Sequence, residues 1–146
     1  MIEITPEIEN YKSVFFAGTI DNGDSINWQQ ELTNKFSKDA EIIIYNPRNK
    51  HWDKNASNID YQIKWEQEHL DKSDLIVMVL LDDSKSPISL LELGLYAQSK
   101  KIIVFCSNKF YRFDNVKLTC EKYNIPLYTK FDTNIIYKQI NIFLNK

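Results

Sequence analysis

The chain has 146 residues and a formal net charge of -2, with 18 basic and 20 acidic side chains mixed along it. This length suggests one domain, spanning 1–146, and the hydrophobic share of 43% excludes a disordered chain. No basic block is present that would neutralise a run of phosphates, and the apolar runs are too short to cross a bilayer. We therefore expect neither a nucleic-acid partner nor a membrane association.

Apolar runs of strand length alternate along the chain with stretches of helical periodicity. The predicted strands are 13–17, 41–45, 74–81, 101–106 and a brief edge strand at 126–128. The predicted helices are 25–37, 60–72, 87–99, 115–123 and 133–144. This alternation is typical of an α/β protein with a parallel sheet and helices on both faces. In such a sheet a ligand binds beyond the carboxyl ends of the strands, near the switch in strand order.

The first residues, the cysteines and the histidines predict the cellular setting of the protein and whether it binds a metal. Segment 1–6 lacks the positive start and apolar core of a signal peptide. Cys106 and Cys120 are the only cysteines, too few for a secreted disulfide framework, so a reduced cytoplasmic setting is expected. His51 and His69 are not arranged with the cysteines at metal-ligand spacing. We expect no metal and no cofactor.

Glu92 is the only formally charged side chain between Lys85 and Lys100, in a segment predicted to be a nearly buried helix. Ser86 is expected to cap this helix, and Pro87 suits its first position. A lone carboxylate on an apolar face loses solvation, so it has to be paired, protonated or used in chemistry. A structural acid and a functional acid both fit this pattern.

Two further predictions concern the same helix. Ile88, Leu95 and Tyr96 lie one turn on either side of Glu92 and are expected to share its face. Gly94 stands inside the helix, where glycine costs roughly 1 kcal/mol relative to alanine. A close approach of another element at Gly94 would explain that cost.

A second acid, Glu66, falls on the predicted helix 60–72, in the stripe formed with Ile59, Ile63 and Leu70. Two inward-facing carboxylates brought close raise one of the two pKa values, so that one holds a proton while the other attacks or stabilises charge. Across a glycosidic bond, such a pair would give a retaining displacement through a covalent glycosyl-enzyme. The structural alternative for Glu66 is an ion pair with Arg48 or a lysine.

Six short motifs follow one another along nearly the whole chain. They are 16–20 with 28–29, 46–48 with 51–53, 62–66, 73–74, 87–94 and 110–116. In these motifs the chain resembles the nucleoside 2-deoxyribosyltransferase family, and more closely its short nucleoside 2-deoxyribosyltransferase-like branch. The resemblance implies a flavodoxin-like three-layer sandwich with a five-stranded parallel sheet. It also implies cleavage of the N-glycosidic bond of 2-deoxynucleosides or deoxynucleotides.

The resemblance assigns roles to the two acids. It makes Glu92, in the motif Glu-Leu-Gly, the nucleophile. It makes Glu66 the acid that handles protons at the base, at a position where the better-known enzymes carry Asp. Ser86 stands where those enzymes have an Asp that binds the sugar, and Asp82 or Asp83 could compensate for the missing charge.

The resemblance also implies a pocket and an assembly. Gly18 and Thr19 match the loop that lines the nucleoside pocket. Asn115 resembles an Asn that a neighbouring subunit inserts into the site, which implies a homo-oligomer, at least a dimer. Asn46 lies in a matching motif at the end of the second strand and is expected to line the pocket.

Arg48 and Trp52 are the remaining candidates for substrate contact. Arg48 could pair with Asp53 or contact a base or phosphate. Among the three tryptophans, Trp52 is the best suited to cover a base, because it lies in a predicted loop.

The predicted function is transfer of the deoxyribosyl group from one base to another, through a glycosyl ester on Glu92, in purine and pyrimidine salvage. One alternative is a hydrolase of deoxynucleoside 5′-monophosphates, which passes the sugar to water and needs phosphate donors such as Ser107 or Arg48. The other is a module that binds a nucleotide without turning it over.

Overall fold

The computed structural model describes residues 11–20, 26–38, 41–48 and 59–145. Its centre is a sheet of five strands, all parallel, in the order β2-β1-β3-β4-β5. The strands are β1 Lys12–Gly18, β2 Ile42–Tyr45, β3 Leu75–Leu80, β4 Ile102–Cys106 and β5 Leu127–Tyr128. The helices are α1 Trp28–Lys35, α2 Ile59–Lys72, α3 Pro87–Tyr96, α4 Phe113–Tyr123 and α5 Thr133–Leu144. The predicted alternation of strands and helices is confirmed.

Helices cover both faces of the sheet. Because side chains of a strand alternate between faces, Phe15 of β1 joins one apolar cluster and Phe16 joins the other. Helices α2, α3 and α4 pack on the Phe15 side, and α1 and α5 pack on the Phe16 side. This is the predicted flavodoxin-like three-layer sandwich. Strands β3 and β4 are buried along their whole length, as expected for central strands covered on both faces.

The strand order places a crevice beside β1. The chain passes from β1 to β2 on one side and then crosses back to β3 on the other side of β1. The loops after β1 and β3 therefore diverge at the carboxyl end of the sheet, where ligands bind in folds of this type.

Three helix predictions differ from the structure. Helix α1 begins at Trp28 because Asn27 caps it, with the Asn27 side chain accepting from the Gln30 amide at 3.1 Å. Helix α3 ends at Tyr96, before the predicted end at residue 99, and helix α4 begins at Phe113 instead of residue 115.

The predicted near-burial of α3 is wrong. Ile88 and Leu95 are 59% and 63% exposed, so they do not share the buried face of Glu92. The buried residues of α3 are Ser89, Glu92 and Leu93. Within this chain, the helix therefore turns its acid inward and leaves several of its largest apolar side chains outside.

Candidate active site

Strand β1 ends at Gly18 in a conformation that only glycine adopts readily, with φ +125°. A Cβ atom at this position would lie 2.1 Å from the carbonyl oxygen of Val79 on β3, far inside van der Waals contact. Glycine thus lets the end of β1 lie directly against β3. The next residue, Thr19, donates its amide to the same Val79 carbonyl at 2.8 Å.

Three hydroxyl groups meet where β1 and β3 end, and we call Thr19, Ser84 and Ser86 the hydroxyl triangle. Thr19 Oγ1 lies 2.8 Å from Ser84 Oγ and 3.3 Å from Ser86 Oγ, and the two serine oxygens are 3.0 Å apart. The Leu81 amide donates to Thr19 Oγ1 at 3.0 Å. All three residues are buried, so the triangle is an uncharged polar cluster where β1 and β3 end.

Ser86 occupies the N-cap position of α3 and Pro87 follows at its start, as predicted, but the Ser86 side chain makes no capping hydrogen bond. Its backbone is left-handed, with φ 45°, and its hydroxyl joins the triangle instead. Only its carbonyl serves the helix, accepting from the Leu90 amide at 3.1 Å.

The carbonyl oxygen of Thr19 is a second meeting point at this end of the sheet. It accepts from Trp28 Nε1 at 2.9 Å, from Gln29 Nε2 at 3.4 Å and from Arg48 Nη2 at 3.4 Å. The same Arg48 nitrogen donates to the Ile20 carbonyl at 3.2 Å. Arg48 is thereby brought to the loop after β1, beside the predicted pocket residues.

Trp28 and Gln29 are residues that sequence reasoning did not place in the site. Gln29 is fully buried, and its Oε1 accepts no hydrogen bond from the described residues. A signal is present in the sequence, since Gln29 stands three residues before Leu32 and seven before Phe36 in the predicted helix 25–37, which puts an amide where an apolar side chain is normal.

Glu92 is buried on α3, with 8% of its surface exposed. Burial raises the pKa of its carboxyl to about 8, and repulsion from Glu66 adds to the rise. The two acids therefore lie within electrostatic range of each other. Carrying a proton relieves Glu92 of the cost of an unsolvated charge.

Glu66 is half-buried on α2. Burial raises its pKa, and a hydrogen bond with the Gln62 side chain opposes that rise. Burial is the larger of the two causes, so the pKa of Glu66 shifts in the direction expected of a desolvated acid. The stripe prediction was only partly right, because Leu70 is buried whereas Ile59 and Ile63 are each 46% exposed.

Asn46, Asp82 and Asp83 follow strands β2 and β3 at the carboxyl end of the sheet. Asn46 Oδ1 accepts from the Arg48 amide at 2.9 Å, so this side chain fixes the turn after β2. Asp82 and Asp83 are exposed in the turn after β3 and are not part of the hydroxyl triangle. Trp52 lies outside the described residues.

Asn115 is exposed on α4 and borders a cleft of about 310 Å³ between α3 and α4. Neither acid lines this cleft, so the described structure does not bring Asn115 to the acid pair of its own chain. Gly94 also borders the cleft, and a Cβ added to it would meet nothing within 4 Å. The predicted close approach at Gly94 is therefore absent within the described chain.

Glu92, whose pKa is raised to about 8, holds its proton at neutral pH and lies within electrostatic range of a second, half-buried carboxyl on Glu66. Two carboxyls in different protonation states are what acid and nucleophile chemistry at one centre requires. In the described ranges no three side chains of the metal-binding types lie together, and no helix there has the length and apolar character of a bilayer span.

A family model described as "Nucleoside 2-deoxyribosyltransferase like" matches residues 11–110, which is more than half of the chain. No curated protein matches the chain at a significant level.

Proposed function

Because the chain belongs to the nucleoside 2-deoxyribosyltransferase-like family, we propose that it cleaves the N-glycosidic bond of a 2-deoxynucleoside and transfers the sugar to another base. The observation that supports this proposal most is the buried Glu92, whose pKa is raised to about 8 partly by the repulsion of Glu66. Shared protons on coupled carboxyls are the arrangement that acid and nucleophile chemistry needs at neutral pH. We place the reaction in cytoplasmic nucleoside salvage, in keeping with the two free buried thiols of Cys106 and Cys120.

In the proposed reaction Glu92 first passes its proton to Glu66, and the ionised Glu92 then attacks the anomeric carbon. An ester bond forms between Glu92 and the sugar while the bond to the base nitrogen breaks. The electron pair of that bond goes to the base, and the proton of Glu66 neutralises it. In the second half the incoming base gives its proton to Glu66, attacks the anomeric carbon and releases Glu92.

The surrounding residues shape the pocket in this proposal. Gly18 and Thr19 form the wall at the end of β1, and Ser86 offers a neutral hydroxyl to the sugar. Arg48 borders the base or a phosphate. Asn46 holds the turn that carries Arg48. Trp52 is proposed to cover the base.

The rate is expected to have a bell-shaped pH dependence. Activity needs one proton on the acid pair, so it falls as pH rises through about 8, where the second carboxyl ionises. It also falls at acid pH, and this limb lies above 4.5 because the Glu66 pKa is raised. A profile of kcat/KM from pH 4 to pH 10 tests this, and a flat profile across neutrality would contradict the shared-proton arrangement.

The test of the function is a base-exchange assay. A 2-deoxynucleoside is incubated with the protein with and without a second base, and both nucleosides and free sugar are separated by chromatography. Glu92→Gln is expected to reduce exchange by about a thousandfold or more, because an amide cannot attack the sugar. Glu68→Gln, an exposed position on α2, is the matched control and should retain full activity. Full exchange by Glu92→Gln would remove Glu92 from the nucleophile role.

The same assay separates the alternatives. Free sugar at equal rates with and without the second base favours a hydrolase. A deoxynucleoside 5′-monophosphate as the better substrate would place its phosphate near Arg48. Intact nucleotide bound without any product favours a binding module.

The proposed active unit is a homo-oligomer in which Asn115 completes the site of a neighbouring copy. The exposed apolar residues of α3 support this, since Ile88, Leu91 and Leu95 are each more than half exposed in the single chain. Gly94, on the same helix with open space beside it, would allow a second backbone to come close. Light scattering on the intact protein and on Leu91→Glu tests the assembly, and a monomeric wild-type protein with full activity would refute it.

A further inference from the structure

The carboxyl ends of α2 and α3 are joined by a hydrogen bond between side chains. The Tyr96 hydroxyl, on the last turn of α3, donates to the carboxylate of Asp71, on the last turn of α2. Tyr96 is half-buried, and its ring packs against the apolar cluster on the Phe15 side of the sheet. The bond therefore ties together two helices that are otherwise separate in the chain.

Lys101, just before β4, lies beside this bond and binds the end of α2. Its Nζ donates to the carbonyl oxygens of Leu70 at 2.6 Å, Asp71 at 2.9 Å and Ser73 at 2.8 Å. It also lies 5.6 Å from the centre of the Tyr96 ring. A cation at this place satisfies the last carbonyls of α2 and complements the negative end of its dipole.

The joined ends belong to the two helices that carry the acid pair. Tyr96 lies one turn after Glu92 on α3, and Asp71 lies five residues after Glu66, roughly 7.5 Å along α2. Tyr96 is also within electrostatic range of Glu92. Burial, the bond to Asp71 and repulsion from Asp71 and Glu92 together raise the pKa of its phenol, which keeps its proton on the hydrogen bond.

Two carboxyls on separate helices repel each other whenever both ionise, and α3 has little other restraint on its outer side. Ile88, Leu91 and Leu95 are exposed there in the described chain. The Tyr96–Asp71 bond lies only one turn after Glu92 and five residues after Glu66 along their helices. It therefore opposes this repulsion close to the two acids. Among the residues that the structure describes, the titratable groups that act on Glu92 or feel its charge are Glu66 from α2 and Tyr96 from α3 itself.

We propose that Tyr96, Asp71 and Lys101 form a tether that positions the acid pair by fixing the separation of Glu92 from Glu66. Tyr96 acts through Glu92 and does not touch the substrate, so it is a positioning residue. The effect on turnover rests on the proposed function, whereas the effect on the acid pair does not.

The test is the titration of the Glu92 carboxyl in Tyr96→Phe, which keeps the ring and removes the hydroxyl. The signal is followed by NMR of protein labelled with ¹³C at the glutamate carboxyls and is assigned by its loss in Glu92→Gln. Without the tether the acids separate and water reaches Glu92, so its pKa should fall towards the ordinary value by about one pH unit. Tyr123→Phe is the matched control, because Tyr123 packs against the same cluster beside Lys122 on a helix without either acid.

Two changes at Asp71 separate the tether from a general loss of charge. Asp71→Asn keeps an acceptor for the Tyr96 hydroxyl and should retain the wild-type titration of Glu92. Asp71→Ala should behave like Tyr96→Phe, and the two combined should add nothing further, as expected of partners in one bond. A purely structural bond would lower the melting temperature of Tyr96→Phe and leave the Glu92 titration unchanged, and that result would overturn the proposal.

Kinetics distinguish this proposal from the proposed function. In an active wild-type protein, Tyr96→Phe should lower kcat about tenfold with little change in KM, because the reacting groups are misplaced and the binding groups are not. A wild-type protein without N-glycosidase activity refutes the function. The tether then stands if Tyr96→Phe still moves the Glu92 titration, and it falls if that titration is unmoved.

Discussion

Replacing Glu92 with Gln should stabilise the protein at alkaline pH. The folded state holds the Glu92 proton up to about pH 8, whereas an ordinary glutamate releases it near 4.5. Between these values the folded chain binds more protons than the unfolded chain, so stability falls as pH rises. Each pKa unit corresponds to about 1.4 kcal/mol. The rise of the Glu92 pKa from 4.5 to about 8 therefore lowers the free energy of unfolding by about 5 kcal/mol above pH 8.

Glutamine has no proton to lose, so the variant avoids this loss. Its amide still has to be buried beside Glu66, which offsets part of the gain. We therefore expect Glu92→Gln to exceed the wild-type free energy of unfolding by about 3 kcal/mol at pH 9. At pH 5 the wild-type carboxyl is itself neutral, and the two proteins should be nearly equal.

Urea unfolding at pH 5 and pH 9, followed by tryptophan fluorescence, measures this difference. Trp28 and Trp65 both pack against the core and should report the transition. Glu68→Gln, at an exposed position, is the control and should match wild type at both pH values. If Glu92→Gln gains no stability between pH 5 and pH 9 relative to this control, the argument that a charge is buried at position 92 is wrong.

Three further predictions concern the frame of the site. Gly18→Ala should lower the free energy of unfolding by about 3 kcal/mol or more, because its Cβ would meet the Val79 carbonyl at 2.1 Å. Thr19→Val should lower it by about 1–3 kcal/mol, since the Leu81 amide loses its acceptor in a buried place. Lys101→Met should raise amide exchange at the end of α2, where three carbonyls lose their donor.

These three predictions have distinct contrary outcomes. A Gly18→Ala protein of wild-type stability would show that the two strands can separate without penalty. Thr119→Val, at a half-buried threonine on α4, is the control for Thr19→Val, and equal effects would remove any special role of the Thr19 hydroxyl. Unchanged exchange in Lys101→Met would mean that the lysine does not hold the end of α2.

The sheet could be predicted because its strands are apolar runs bounded by polar loops, and because alternation with helices restricts the connections. The exposure of α3 could not. Periodicity shows that Ile88, Glu92 and Leu95 recur around one helix, but it does not show which side of the helix meets the sheet. In the structure the side with Ser89 and Leu93 does so, which buries the acid and exposes its apolar neighbours.

The sequence singles out the charged residues of the candidate site but not its polar contacts. A lone carboxylate such as Glu92 stands out in an apolar stretch, so the sequence alone is enough to single it out. The hydroxyl triangle depends on the left-handed backbone of Ser86 and on the register that places the end of β1 against β3. Residues 19 and 84 are 65 positions apart, and no local pattern indicates that they meet.

Ser86 stands at the start of the helix that carries Glu92, and it is uncharged. A cation at this place would lower the pKa of Glu92, whereas an aspartate, which the family resemblance puts there in the better-known enzymes, would raise it further. In the proposed function a hydroxyl can contact a sugar without either effect. The neutral Ser86 therefore leaves the pKa of Glu92 to burial and to Glu66, the two causes that raise it.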